Sequence, residues 1–272
     1  MVEIFDNIRK IYQFSAPCEA LKDYVEFFSE SSAEATHAFA GAEHFSVKMF
    51  ASYTPTFWIN LGVSYQLAMG DKLYNIPAGK DILVVRNDIV ERLNHPADHL
   101  FSIKFYPGGL EAIFGINQSQ MIDRVIDLHD VLPASLLVQV RQLNGFEERM
   151  KLLQDHFLQC LARKKQRDHY LCFVQDAIID YENGNLRYNV NEMAARMFTT
   201  SRTINRYFND VVGASPKNYF SILRARTALT AYVDPQQRFT PETFGYYDMS
   251  HFYKEVLKFT GEKLNAKRKA GL

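Results

Sequence analysis

Thr200-Ser201-Arg202-Thr203-Ile204-Asn205-Arg206-Tyr207-Phe208-Asn209-Asp210-Val211-Val212-Gly213-Ala214-Ser215-Pro216-Lys217-Asn218-Tyr219 is the stretch on which the reading turns. Thr200 is a helix N-cap residue, because its hydroxyl can accept from a backbone N–H two or three positions on. Ile204 and Phe208 recur at helical spacing and form an apolar back. Arg202, Asn205 and Arg206 stand at i, i+3 and i+4 on the front. Gly213 ends the helix. Ser215 caps the next one, with Pro216 at its first position, where a missing N–H costs nothing. A short helix with a buried back and an Arg/Asn front, held between two others, is how a helix-turn-helix offers side chains to DNA. Arg forks to guanine O6/N7 and Asn to adenine N6/N7. The stretch therefore predicts base contacts from Arg202, Asn205 and Arg206, and phosphate or capping roles for Ser201 and Thr203.

Working outward, the chain from Asp168 reads as helical throughout. One helix is predicted over Tyr170–Tyr181, closed at Asn183-Gly184-Asn185. A short one follows over Asn191–Met197 and a long one over Ser215–Tyr232, broken at Asp234-Pro235. A last pair lies around Pro241–Phe244 and Ser250–Thr260, with Gly261 as the stop. These residues resemble the DNA-binding domain of the AraC/XylS transcription regulators, over roughly Asp168 to Arg268. Met193-Ala194 stands at the family's Leu-Ala and Thr200 at its capping Ser. Ile204, Arg206 and Phe208 match Leu-x-Arg-x-Phe, and Gly213, Ser215-Pro216 and Tyr219 match Gly-x-Ser-Pro-x-x-Tyr. Arg224 and Ala228 fall in the linker helix. Gly245-Tyr246, Ser250, Phe252 and Gly261 mark a second unit. The resemblance implies an all-α double helix-turn-helix, with Ser250, His251 and Lys254 facing DNA in the second unit behind an Asp248 cap. Departures are Phe198 for a Gly in the first turn, Thr240-Pro241 for Ile-Ala, Lys254 for Arg, Val256 for Phe and Leu264 for Pro. Proline is excluded from a helix interior, so the second supporting helix is expected to begin at Pro241 and span barely one turn.

The first 130 residues carry strand signals: Phe57–Val63, Asp81–Val85 and Leu100–Phe105, with turns at Gly70-Asp71, Pro77-Ala78-Gly79 and Pro107-Gly108-Gly109. A helix is expected after Pro17, through Leu21, Val25 and Phe28. Many short strands with turn punctuation predict a small barrel or sandwich. Phe101 to Gly109 and Asn60-Leu61-Gly62 resemble a sensor domain found fused to AraC-type domains, which implies a cupin-like, partly open barrel. After Pro133 the period becomes helical: Leu136, Leu137, Val140 and Leu143, then Met150, Leu153, Phe157 and Leu161. The fold class is thus α+β. A β-rich sensor is expected over residues 1–130, a helical connector that could pair two copies over 131–167, and the DNA-binding domain over 168–272. The basic run Arg163-Lys164-Lys165-Gln166-Arg167 is the candidate boundary.

Net charge is +0, but it is unevenly spread: Lys165–Leu272 has 16 Lys/Arg against 11 Asp/Glu, and the rest of the chain carries the opposite excess. A basic C-terminal third fits nucleic-acid contact. Three cysteines without metal spacing and no signal-peptide pattern lead to an expected cytoplasmic setting. No apolar run reaches the roughly 20 residues of a membrane span. His95-Pro96-Ala97-Asp98-His99, with His37 and His44 upstream, lacks the spacing of a cupin metal site, so no metal and no cofactor is expected. No phosphate loop, nucleophile elbow or zinc-protease motif is present, so no catalytic residue is expected. Tyr53, Phe57, Trp58 and Tyr65 are candidates to line an apolar effector pocket. The leading reading is a ligand-responsive regulator acting on promoter DNA. The alternative is a cupin-like binder or enzyme with a helical appendage that does not read DNA. A third reading keeps the fold but has the chain bind another protein.

Overall fold

The computed structural model describes residues 10–163, 168–234, 238–261, 263 and 264. The expected boundary at Lys164–Arg167, the break at Pro235 and the end of the AraC-like match at Arg268 lie outside them.

The first half is built of antiparallel strands: β1 (Tyr12–Ser15), β2 (Val25–Ser31), β3 (Phe45–Met49), β4 (Pro55–Asn60), β5 (Tyr65–Met69), β6 (Lys72–Ile76), β7 (Ile82–Val85), β8 (Val90–Asn94), β9 (Leu100–Phe105) and β10 (Val125–Asp127). They form a six-stranded sheet, β1-β2-β9-β4-β7-β10, and a four-stranded sheet, β3-β8-β5-β6. The helix expected after Pro17 is only a 3-10 turn at Glu19–Leu21, and Val25 and Phe28 belong to β2 instead. Two readings compete for that spacing. Strand pairing of β2 with both β1 and β9 satisfies its backbone, and this wins.

Strands β4, β7 and β9 are buried at every residue because both their faces are covered, and β7 is apolar throughout. Period two then separates two cores. Trp58, Ile82, Val84 and Leu100 meet Val47, Tyr65, Leu67 and Val90 of the opposite sheet. Phe57, Ile59, Leu83, Phe101, Ile103 and Phe105 face the other way, into a core that continues through the helices.

Those helices are α1 (Ala33–Ala40), α2 (Gly109–Phe114), α3 (Ala134–Gln142), α4 (Phe146–Arg163), α5 (His169–Asn183), α6 (Val190–Arg196), α7 (Ser201–Val211), α8 (Pro216–Val233) and α9 (Met249–Thr260). The apolar stripe of α4 packs on the six-stranded sheet. Phe157 lies 5.3 Å from Phe114, 5.8 Å from Phe105 and 6.3 Å from Phe28, ring centre to ring centre. Buried Arg149 of α4 reaches into the sheet, with Nη1 donating to Glu30 Oε1 at 2.5 Å and Nε to the Val140 carbonyl at 3.1 Å. Leu153 and Phe157 of α4 are thus buried within the chain's own core.

The core does not stop at the strands. Phe57 and Phe105 belong to the same buried cluster as Phe208 of α7 and Phe220 of α8. The β-rich half and the helical half share one apolar interior.

Candidate nucleic-acid interface

Two helix–turn–helix units stand in the helical half. In the first, α6 is opened by a capping box: Asn189 Oδ1 accepts from the N–H groups of Asn191 and Glu192, and Glu192 accepts from the Asn189 N–H. The turn runs through Phe198, and Thr200 caps α7, its Oγ1 accepting from the Thr203 N–H at 3.2 Å. Ile204, Phe208 and Val211 are wholly buried. Phe208 is held by Phe220 at 5.1 Å and Tyr219 at 5.9 Å, and Phe220 stacks on Tyr181 at 4.1 Å. With its back fixed in this way, α7 turns Arg202 and Arg206 to solvent.

The five predicted residues of α7 do not stand alike. Arg202 and Arg206 are exposed, the Arg206 guanidinium lying 5.0 Å from the Tyr207 ring centre. Asn205 is half-buried, and its amide donates to the Ser201 carbonyl at 2.6 Å. Asn205 must leave that bond before it can offer a donor and an acceptor to adenine. Ser201 Oγ donates to Asn191 Oδ1 at 2.6 Å, tying α7 to α6. Thr203 Oγ1 sits 3.1 Å from Thr200 Oγ1 within the cap.

The second unit is shorter at its entry, as Pro241 requires: a 3-10 turn at Pro241–Phe244, Gly245 with φ of +73°, then α9 capped by Asp248, which accepts from the His251 N–H at 2.7 Å. Phe252 and Val256 are buried, while Ser250, His251 and Lys254 are all exposed on one side. The His251 ring packs on Tyr246 at 5.3 Å, and its Nδ1 accepts from the Tyr247 N–H at 3.4 Å, which leaves Nε2 outward.

Sequence reasoning missed what joins the units. Glu255 of α9 receives Arg224 Nη2 of α8 at 2.8 Å and 3.0 Å, together with Ser221 Oγ at 2.5 Å. Burial pushes the Glu255 carboxyl up, but the hydrogen bonds from Arg224, Ser221 and Tyr246 outweigh it and hold it below its usual range. It also missed what joins α7 to the strands. The buried Gln118 amide donates to the Val212 carbonyl at 2.9 Å and the Tyr53 carbonyl at 2.8 Å, and its Oε1 accepts from the Gly108 N–H at 3.1 Å. Asn218 of α8 donates to the Tyr53 hydroxyl at 3.0 Å.

The four aromatic residues expected to line one pocket are not brought together. Tyr53 lies at this seam and Phe57 in the helix-side core. Trp58 lines a 40 Å³ space between the sheets with Tyr12, Arg86, Arg92, Ser102 and Lys104. Tyr65 borders an open cleft of 690 Å³ with His44, Gln66, Asn75 and His95. The Arg92 guanidinium lines the smaller space and lies 5.1 Å from the Tyr65 ring centre and 5.9 Å from that of Trp58, and Nη2 donates to Asp98 Oδ2 at 3.0 Å. Burial raises the Tyr12 phenol to about 12, against the opposing pull of Arg92. Among the described residues no group of three or more His, Cys, Asp or Glu is arranged to hold a metal, and no helix is long and apolar enough to cross a membrane.

The sequence matches no family model and no curated protein. Among solved structures the chain is similar to ToxT from Vibrio cholerae, with a TM-score of 0.48 and 9% identity over 84% of this chain and 97% of that one. It is similar also to ToxT from the same organism with unsaturated fatty acid bound, at 0.45 and 9% over 83% and 94%. The AraC-like transcriptional activator CuxR follows at 0.25 and 13%, over 83% and 88%.

Proposed function

We propose that the chain is a DNA-binding transcription regulator of the AraC type. In this reading residues 1–130 form the sensor, 131–167 the connector and 168–272 the DNA-binding domain. One observation carries it: α7 buries Ile204, Phe208 and Val211 completely while Arg202 and Arg206, one turn apart, stand free in solvent directly behind a capped start. A surface Arg pair has no such need for a fixed back; a reader of base edges does. Arg202 and Arg206 reach guanines, Asn205 joins after releasing Ser201, and Ser201 and Thr203 position the backbone. In the second unit Ser250, His251 and Lys254 meet the adjoining groove or its phosphates.

The strands supply the response. The 690 Å³ cleft is of effector size, and it ends on Tyr65, whose buried hydroxyl has no hydrogen-bond partner among the described residues. The 40 Å³ space beyond it holds no more than water until the sheets part. An effector entering past Tyr65 meets Arg92 and then Trp58.

Fluorescence-anisotropy titration on duplex DNA from upstream of the coding region, at several salt concentrations, tests the reading. Log affinity should fall linearly with log salt, and Arg206→Ala should lose discrimination at one base pair, by about 1–3 kcal/mol. Specific binding that survives Arg206→Ala intact refutes α7 as the reader. Activity toward a small molecule without any DNA affinity favours the binder or enzyme alternative.

A further inference from the structure

Phe198, in the turn between α6 and α7, is 99% exposed and has φ of +50°. Each fact is a cost. A bulky side chain in the left-handed region is strained, and an aromatic ring in water is an apolar surface left unburied. The turn itself needs the left-handed conformation: the Phe198 N–H donates to the Ala195 carbonyl at 3.1 Å and the Thr199 N–H to the Ala194 carbonyl at 2.9 Å. Glycine holds such a turn without strain. The ring therefore serves nothing inside the molecule, and its use lies outside.

Its place says with whom. Phe198 stands two residues before the Thr200 cap and four before exposed Arg202, at the mouth of α7. Its following neighbours Thr199, Thr200 and Ser201 are polar, with Thr200 engaged in the cap and Ser201 bonded to Asn191, so the ring is not part of a wider apolar patch of the kind a protein partner covers. The second unit repeats the pattern: Tyr247, 86% exposed, immediately precedes the Asp248 cap of α9. Two exposed aromatics stand at the entry turns of the two helices whose cations face outward.

We propose that Phe198 is a DNA contact, its ring lying on the C5-methyl group of a thymine beside the bases met by Arg202. The inference rests on the reading of α7 as a DNA reader. The thymine methyl is the apolar feature that the major groove offers, and Phe is among the side chains that suit it.

The test uses the full chain. Duplexes are first selected from random-sequence DNA by the wild-type protein. Each thymine in them is then replaced singly by deoxyuridine, which removes the methyl alone. Binding is measured by anisotropy for wild type and Phe198→Gly, alongside the thermal midpoint of each protein. At one thymine the replacement should weaken wild type by about fourfold, the worth of one buried methyl. Phe198→Gly should bind the unmodified duplex at least fourfold more weakly and lose nothing further on that replacement, while its thermal midpoint holds or rises with the strain removed. No uridine-sensitive thymine, or a Phe198→Gly protein that binds as tightly as wild type, overturns the proposal. So does a variant that binds normally but fails to switch a reporter promoter, since the ring then belongs to a protein partner. Failure of the wild-type protein to select any duplex defeats the DNA reading itself, and is seen before any variant is made.

Discussion

The Gln118 side-chain amide donates to the Val212 carbonyl at 2.9 Å, ninety-four positions along the chain. Val212 is the C-cap of α7, so a side chain from the strand-rich half holds the far end of the helix whose near end is proposed to meet DNA. The same amide holds Tyr53 and Gly108, and Gln118 itself is wholly buried. One side chain therefore bonds the strand-rich half and the end of α7 together.

Gln118→Leu keeps the bulk and removes that tie. It leaves the Val212 and Tyr53 carbonyls and the Gly108 N–H buried without this partner. A buried group left so costs about 1–3 kcal/mol, and local adjustment recovers part of the sum. The expected outcome is a loss of about 2–4 kcal/mol in urea unfolding. A variant as stable as wild type would mean that the two halves do not depend on this contact.

Gly213→Ala tests the same seam from the other side. Gly213 has φ of +80°, where a side chain costs roughly 1–2 kcal/mol. A Cβ there would also stand 3.0 Å from Ile122 Cδ1 and 3.2 Å from the Ser119 Cα of the opposing turn. Both effects act in one direction, so the fall in unfolding midpoint should exceed that of an alanine placed at a positive-φ glycine in open space, such as Gly79.

Much of this molecule is legible in its sequence, and the limit has a physical form. The α7 cap, its two faces and its stop are local signals, written within one or two helical turns. Strands β4, β7 and β9 are legible for the same reason. Period two also separates Phe57 from Trp58, but it does not say which face meets the second sheet. The single pocket expected of all four aromatics is therefore one that the strands do not form. Val25 and Phe28 fit a helix as well as a strand until β1 and β9 are beside them. Gln118 reaching Val212, and Glu255 reaching Arg224 over 31 positions, leave no periodic trace at all.

The Arg224–Glu255 pair is expected to make stability depend on pH. The Glu255 carboxyl is held below its usual value in the folded chain. Its contribution is therefore complete above the unfolded carboxylate value of roughly 4.3 and is lost as pH falls through the lower folded value. Glu255→Gln should lower the thermal midpoint at neutral pH, and the gap to wild type should close on acidification below about pH 4. A gap independent of pH would leave shape, and not charge, as the role of Glu255.

Lys254 separates positioning from reading in α9. It is exposed, beside Ser250 and His251, with exposed Lys258 one turn further on, so where α7 carries the guanidiniums of Arg202 and Arg206 this face of α9 carries ammonium groups. A single flexible ammonium binds a phosphate as a point charge, whereas paired recognition of a base needs a planar fork. Lys254→Met should weaken binding evenly across sequences and reduce the slope of log affinity against log salt by roughly 0.9, the share of one phosphate. Stability should be unchanged, since the side chain leaves the buried face formed by Phe252 and Val256 untouched. The contrary outcome is equally definite: an unchanged slope with relaxed preference at one base pair would make α9 a second reader of sequence, on a par with α7.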